Sequence, residues 1–146
     1  MRIGKWVVAL AIGLALSTAA FAADGWERDS AFNKLYAPKS LITFTGKVTS
    51  VDRNFVPMAG MTPGFMAVIK TDKESLPIII GPAWFTGFYH DKWNIQNGDT
   101  VKTTGSRVKI KGKDYVIVSA GEKGKLKLTV RGKTGIPLWD LKPEDF

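Results

Sequence analysis

The chain predicts a mainly β fold: a small barrel of five to six strands, with one short helix between strands three and four. Three observations lead there. From Leu41 onward, apolar and polar residues alternate with period two and β-branched residues dominate, the pattern of half-buried strands. Turn signals recur at intervals of about ten residues, the spacing of a sandwich or barrel. One segment, 83–93, changes period and carries Trp84, Phe85 and Phe88 at near-helical spacing. Three strands, a helix and then further strands is the order of an OB-like barrel, and that is the expected fold.

Each element has its own justification. In the first strand Ile42, Phe44, Gly46 and Val48 alternate with Thr43, Thr45, Lys47 and Thr49, and Gly46 inside it marks a bulge or sharp bend. A loop is expected over 53–64, where Pro57, Gly60 and Pro63 fall. Residues 65–71 form the second strand, 72–75 a polar hairpin connection and 76–80 the third strand. Its continuous Ile78-Ile79-Ile80 run indicates burial on both faces. Gly81-Pro82 breaks that strand, and Pro82 starts a helix over 83–93. Asn97-Gly98-Asp99 is a turn, 100–104 begins the fourth strand, and Gly105-Ser106 marks a second bend before 107–111. A fifth strand over 115–120 follows the turn 111–114. A last strand carries Leu126, Leu128 and Val130 in alternation with Lys125, Lys127 and Arg131.

The outer segments read differently. Arg2 and Lys5, the apolar run Trp6 to Leu16 and the Ala20-Phe21-Ala22 triplet make residues 1–22 a secretory signal peptide, with cleavage after Ala22. Residues 23–40 are an N-terminal arm that either packs Trp26, Phe32 and Tyr36 onto the domain through a short helix capped by Ser30 or stays mobile. The barrel domain spans 41–139 and residues 140–146 are a C-terminal tail, with Trp139 as the anchor of the segment after Pro137. No second segment approaches membrane-spanning length, so a periplasmic or secreted protein without an integral membrane segment after cleavage is expected.

Composition narrows the chemistry. The 146 residues contain no cysteine and one histidine, which removes thiolate metal sites, thiol nucleophiles and most triads. His90 beside Asp91 is the sole imidazole, and Gly132-Lys133-Thr134 copies only the end of a phosphate loop, with Lys127 where its first glycine belongs. Neither supports catalysis, and neither an enzyme nor a cofactor is expected.

Around Gly81-Pro82-Ala83-Trp84, Asn97-Gly98-Asp99-Thr100-Val101 and Thr104-Gly105-Ser106 the chain resembles small exported bacterial OB-fold proteins, the periplasmic bacterial OB-fold family and its relatives. The resemblance covers about residues 41–139 and implies a ligand-binding or accessory role. Its motifs are architectural, and no site residue is carried over from it.

The residues themselves offer three candidate surfaces. Ten Lys and Arg lie between Lys102 and Lys133 against only Asp114 and Glu122, within a chain of net charge +8. Strand alternation groups Lys102, Arg107, Lys109 and Lys111, and likewise Lys125, Lys127 and Arg131, on basic faces suited to an acidic protein or polyanionic ligand. Nucleic acid is not the expected partner, because Tyr115 is the single aromatic ring in the block and stacking platforms are missing. Trp84, Phe88 and Trp93 form a candidate aromatic patch. Met58, Met61 and Met66 with His90 form the alternative, a soft-metal site for copper; methionines in a Pro/Gly loop also serve as an apolar flap.

The signal-peptide reading is checked by the mass of the exported protein, which should begin at Ala23. Retention of residues 1–22 in that protein would refute it.

Overall fold

A computed structural model describes residues 24–88 and 94–145. Its strands are β1 (Leu41–Phe55), β2 (Gly64–Lys70), β3 (Ser75–Pro82), β4 (Thr100–Ile110), β5 (Lys113–Lys123) and β6 (Leu126–Thr129), with helix α1 (Ala83–Gly87) between β3 and β4. The sheet runs β3-β2-β1-β4-β5-β6 with antiparallel neighbours. A parallel pairing of β3 with β5, Ile78 to Val116 and Ile79 to Ile117, closes it into a barrel. The expected fold is therefore the observed one, a mainly β OB-like barrel with one short helix after the third strand.

Closure explains the isoleucine run. Ile78 and Ile80 point into the barrel with Val48, Ala67, Ile69, Val101, Val116 and Val118, whereas Ile79 points outward beside Ile117. That outer pair is covered by a second apolar layer built from Trp26, Phe32, Tyr36, Val108 and Ile110. The N-terminal segment thus packs rather than floats: Trp26 and Phe32 are each 1% exposed, their rings meeting edge to face at 5.0 Å. The N-cap of the short 3-10 turn Asn33–Leu35 is Phe32 rather than the expected Ser30, although the Ser30 hydroxyl accepts the Asn33 N–H at 3.1 Å. Trp139 anchors the other end of the chain, donating its indole N–H to the Trp26 carbonyl at 2.7 Å and lying over Gly81.

Several boundaries differ from the sequence expectation. β1 continues through Arg53 to Phe55, where a loop was expected. Tertiary contacts extend it: the Arg53 guanidinium lies 4.1 Å over the Phe65 ring, and Phe55 packs against Tyr115. Gly46 is where β1 changes partners, since Leu41–Lys47 pair with β4 and Lys47–Phe55 with β2. A methyl group there would strike the Lys70 carbonyl and lie 2.8 Å from the Ile69 side chain.

β4 is one continuous strand, and the bend expected at Gly105-Ser106 is a bulge at Gly105 within it. Before the register shift at Thr104/Gly105 the odd residues Val101 and Thr103 are buried; after it the even residues Ser106, Val108 and Ile110 are. Val101 belongs to the barrel interior, Val108 and Ile110 to the outer layer. Helix α1 is five residues long and ends at Gly87, a poor helix former; the remainder of the expected 83–93 helix lies largely outside the described residues.

Gly105 should tolerate no side chain, because a Cβ would meet the Ile117 carbonyl oxygen and lie 2.7 Å from Val116 Cγ1. Gly105→Ala is expected to lower stability by about 2 kcal/mol in urea unfolding. Gly87→Ala, which meets nothing within 4 Å, should change it by less than about 0.5 kcal/mol. Equal effects of the two substitutions would refute the close-packed bulge.

Candidate functional site

One exposed sheet face groups Lys47, Lys70 and Lys102, which make no ion pair among the described residues, with Lys127, which meets Glu122. Paired residues of adjacent antiparallel strands share a face, so register lays out its rows. One row runs Lys70, Lys47, Thr100 across β2, β1 and β4. The next runs Thr45, Lys102, Glu122, Lys127 across β1, β4, β5 and β6, and a third runs Thr43, Thr104, Ala120, Thr129. Thr43 and Thr104 join their hydroxyls at 2.9 Å. These rows carry lysine, threonine and Ala120 with Glu122 as their one acid, and Lys127 lies 3.6 Å from that carboxylate.

Lys47 and Lys70 stand directly opposite each other. Like charges in that position destabilise a sheet, by an amount comparable to what a favourable cross-strand pair contributes. Neither was among the sequence candidates, because both precede the basic block and only strand pairing brings them to it. The visible signal was the Thr-x-Thr-x-Lys alternation of the first strand.

The remaining candidates divide. Arg107 and Lys109 lie farther along β4, roughly 16 and 23 Å from Lys102 at strand rise, and both are paired with acids. Arg107 Nη2 is 2.7 Å from Glu74 and 3.5 Å from Asp114, and Lys109 Nζ is 3.2 Å from Asp114. Lys111 and Lys125 are exposed in the turns that flank β5 and make no ion pair among the described residues. The two basic strand faces are not neighbours, since β5 lies between β4 and β6.

Arg131 is a correction. It was expected on the exposed face with Lys125 and Lys127, yet it is 3% exposed. β6 ends at Thr129, so strand parity no longer applies two residues later. The guanidinium turns inward, 4.7 Å over Tyr36 and 5.1 Å from the Trp139 ring centre, and donates to Asn33 Oδ1 and to the Gly135 carbonyl at 3.1 Å. Burial pulls its pKa down to about 10, which leaves it charged at neutral pH.

The aromatic candidates sit on α1. Phe85 is the ring that faces inward, against Trp139 at 5.3 Å, while Trp84 is 50% and Phe88 78% exposed. Trp84 keeps its indole N–H on Asp24 at 3.1 Å. Trp93 and His90 lie outside the described residues. Met58, Met61 and Met66 all pack on the outer apolar layer, and Met58 and Met61 line one cavity of about 260 Å³ with Phe32 and Glu27. Packing of this kind accounts for the three thioethers as apolar cover over Trp26 and Phe32. Among the described residues no three His, Asp or Glu side chains group as a metal site, and no helix is long and apolar enough to cross a membrane.

Ion pairs hold the arm and turns around this frame. Arg28 clasps Asp145 and the Asp140 carbonyl, tying the N-terminal segment to the last described residues. Lys123 meets Asp99 at 2.8 Å. Each of these acids is held below the ordinary carboxylate range by its partner: Asp145 by Arg28, Asp99 by Lys123, Glu74 by Arg107 and Asp114 by Lys109.

Residues 40–128 match the MamS/MamX magnetosome protein family. No curated protein matches the chain. Among solved structures, the S. pombe Stn1-Ten1 complex is similar at 10% identity and a TM-score of 0.46, covering 59% of this chain and 59% of that one. A replication protein A heterotrimer bound to single-stranded DNA is similar at 12% identity and a TM-score of 0.41, covering 65% of this chain and 61% of that one. The chain thus spans about three fifths of the length of these structures. The family that matches is MamS/MamX, and what it has in common with the expected resemblance is the OB-like barrel seen in the strand order.

The paired carboxylates set a pH expectation. A carboxyl group with a lowered folded pKa contributes stability that is present above its unfolded pKa of about 4 and lost as pH falls through the folded value. The thermal midpoint should therefore be steady from pH 7 to 5 and drop between pH 4.5 and 3. Asp145→Asn should flatten that drop. A midpoint unchanged down to pH 3 would refute the assignment.

Proposed function

This chain belongs to the MamS/MamX magnetosome protein family, and we propose that it is an exported, non-enzymatic accessory protein of that system. In this reading its OB-like barrel engages an anionic ligand or acidic partner protein through the lysine-rich sheet face. The periplasmic side of the membrane is its place of action, on the strength of the signal-like segment 1–22.

The observation that carries this reading is the opposition of Lys47 and Lys70, with Lys102 and Lys127 in the adjoining row. A cross-strand lysine pair weakens the sheet that holds it unless a counter-charge is supplied from outside. Arg107 and Lys109 have internal counter-charges and are secondary in this reading. The absence of aromatic rings among the positions of the three rows favours an acidic surface over single-stranded nucleic acid, which needs bases to stack.

Two double variants with the same change in net charge test the face. Lys47→Glu/Lys102→Glu should elute from an anionic matrix at clearly lower salt than the parent, while Arg107→Glu/Lys109→Glu elutes closer to it. Lys47→Glu alone should raise stability by about 0.2–1 kcal/mol by replacing a like-charge pair with an opposite one. Coincident elution of the two double variants would mean that only net charge matters and would overturn the proposal.

A further inference from the structure

β6 has a sheet partner on one side only, since it ends the strand order and pairs with β5 alone. The ladder tells which of its backbone groups are left over. Val130 donates its N–H to the Ser119 carbonyl at 2.8 Å and so faces β5. In an antiparallel pair, residues that turn their backbone groups toward the partner alternate with residues that turn them away. Counting back from Val130, Leu128 and Leu126 face β5, whereas the N–H and C=O groups of Lys127 and Thr129 point off the edge.

The chain's own tail pairs with this side just past the strand. Leu138 donates its N–H to the Val130 carbonyl at 3.0 Å, Gly132 donates to the Ile136 carbonyl at 2.9 Å, and Pro137 bridges to Arg131. Over Leu138–Asp140 the tail coils into a 3-10 turn and leaves the edge, with Trp139 bonded to Trp26. The stretch left without a strand beside it is Leu126–Thr129, and Leu126, Lys127 and Thr129 are exposed there.

Lysine on an edge strand ordinarily discourages pairing. Here it discriminates between partners. A second copy paired antiparallel along β6 would set Lys127 opposite or diagonal to its own counterpart, a like-charge contact. A carboxylate in that place would meet Lys127 from the side away from Glu122, within the positive field of Lys125 in the preceding turn. Leu126, 49% exposed on the other face, would be covered by an apolar neighbour.

We propose that β6 receives an extended acidic segment of a partner protein as a seventh strand, with a carboxylate beside Lys127 and an apolar side chain over Leu126. Main-chain bonds to Lys127 and Thr129 make the pairing, and the lysine selects for acid. The acidic character of the partner rests on the lysine-face reading above; the free edge does not.

The test adds a hexapeptide of alternating valine and glutamate to the protein and follows amide hydrogen exchange by NMR. At ten times Kd the Lys127 and Thr129 amides should exchange about tenfold more slowly, because exchange then proceeds from the unbound fraction. The Leu128 amide, already directed at β5, should change far less. A hexapeptide of alternating valine and lysine should bind several-fold more weakly. Thr129→Pro deletes an outward N–H without touching the β5 ladder; it should weaken peptide binding about tenfold and leave retention on an anionic matrix unchanged. Peptide binding that leaves both amides unprotected would overturn strand addition and spare the lysine face. Equal affinity for the two peptides would overturn the acidic occupant. Protection that rises with protein concentration, without peptide, would give the edge to a second copy. Failure of both peptides to bind a protein still held by the anionic matrix would overturn the edge alone. If Thr129→Pro does not fold, the wild-type exchange rates decide.

Discussion

Two residue pairs, Ile78 with Val116 and Ile79 with Ile117, turn an open sheet into a barrel. Because these parallel bonds run through the middle of β3 and β5, both faces of the closing seam must be dry. The inner face is supplied by the barrel's own alternation. The outer face has no neighbouring strand to cover it, so the chain recruits residues from its two ends, Trp26 and Phe32 from one and Trp139 from the other. Arg131 and Arg28 then fasten those ends, one by aromatic contact and the other by carboxylates. Most of the features that distinguish this barrel trace back to the need to protect that seam.

How much of this was legible depends on the range of the interactions involved. The Ile78-Ile79-Ile80 run announced a doubly buried strand, and Gly105 announced a bend, because both follow from local pattern and steric freedom. Trp139 was readable as an anchor because a large ring in a polar tail has few other uses. The continuation of β1 past Arg53 was not readable, since it rests on contacts with Phe65 and Tyr115 from other strands. Strand parity carried through Val130 placed Arg131 outside, but parity holds only while a strand lasts, and this one stops at Thr129.

The charge pattern shows the same limit. A run of ten basic residues looked like one surface, and pairing splits it. Acids from the β3 entrance and the start of β5 pair with Arg107 and Lys109, and Glu122 with Lys127, whereas register adds Lys47 and Lys70 from outside the run to Lys102. Linear charge density located the cations; the sheet decided which of them keep their field.

The union of Trp26 with Trp139 also has a temporal side. These residues stand 113 positions apart, and the hydrogen bond between them joins the first described segment to one of the last. Chain growth makes Trp26 early and Trp139 late, so the outer layer has no complete partner until almost the whole polypeptide has emerged. Loop closure over that span is slow compared with hairpin formation. The outer layer therefore cannot be complete before residue 139 is in place, in whatever order the strands form.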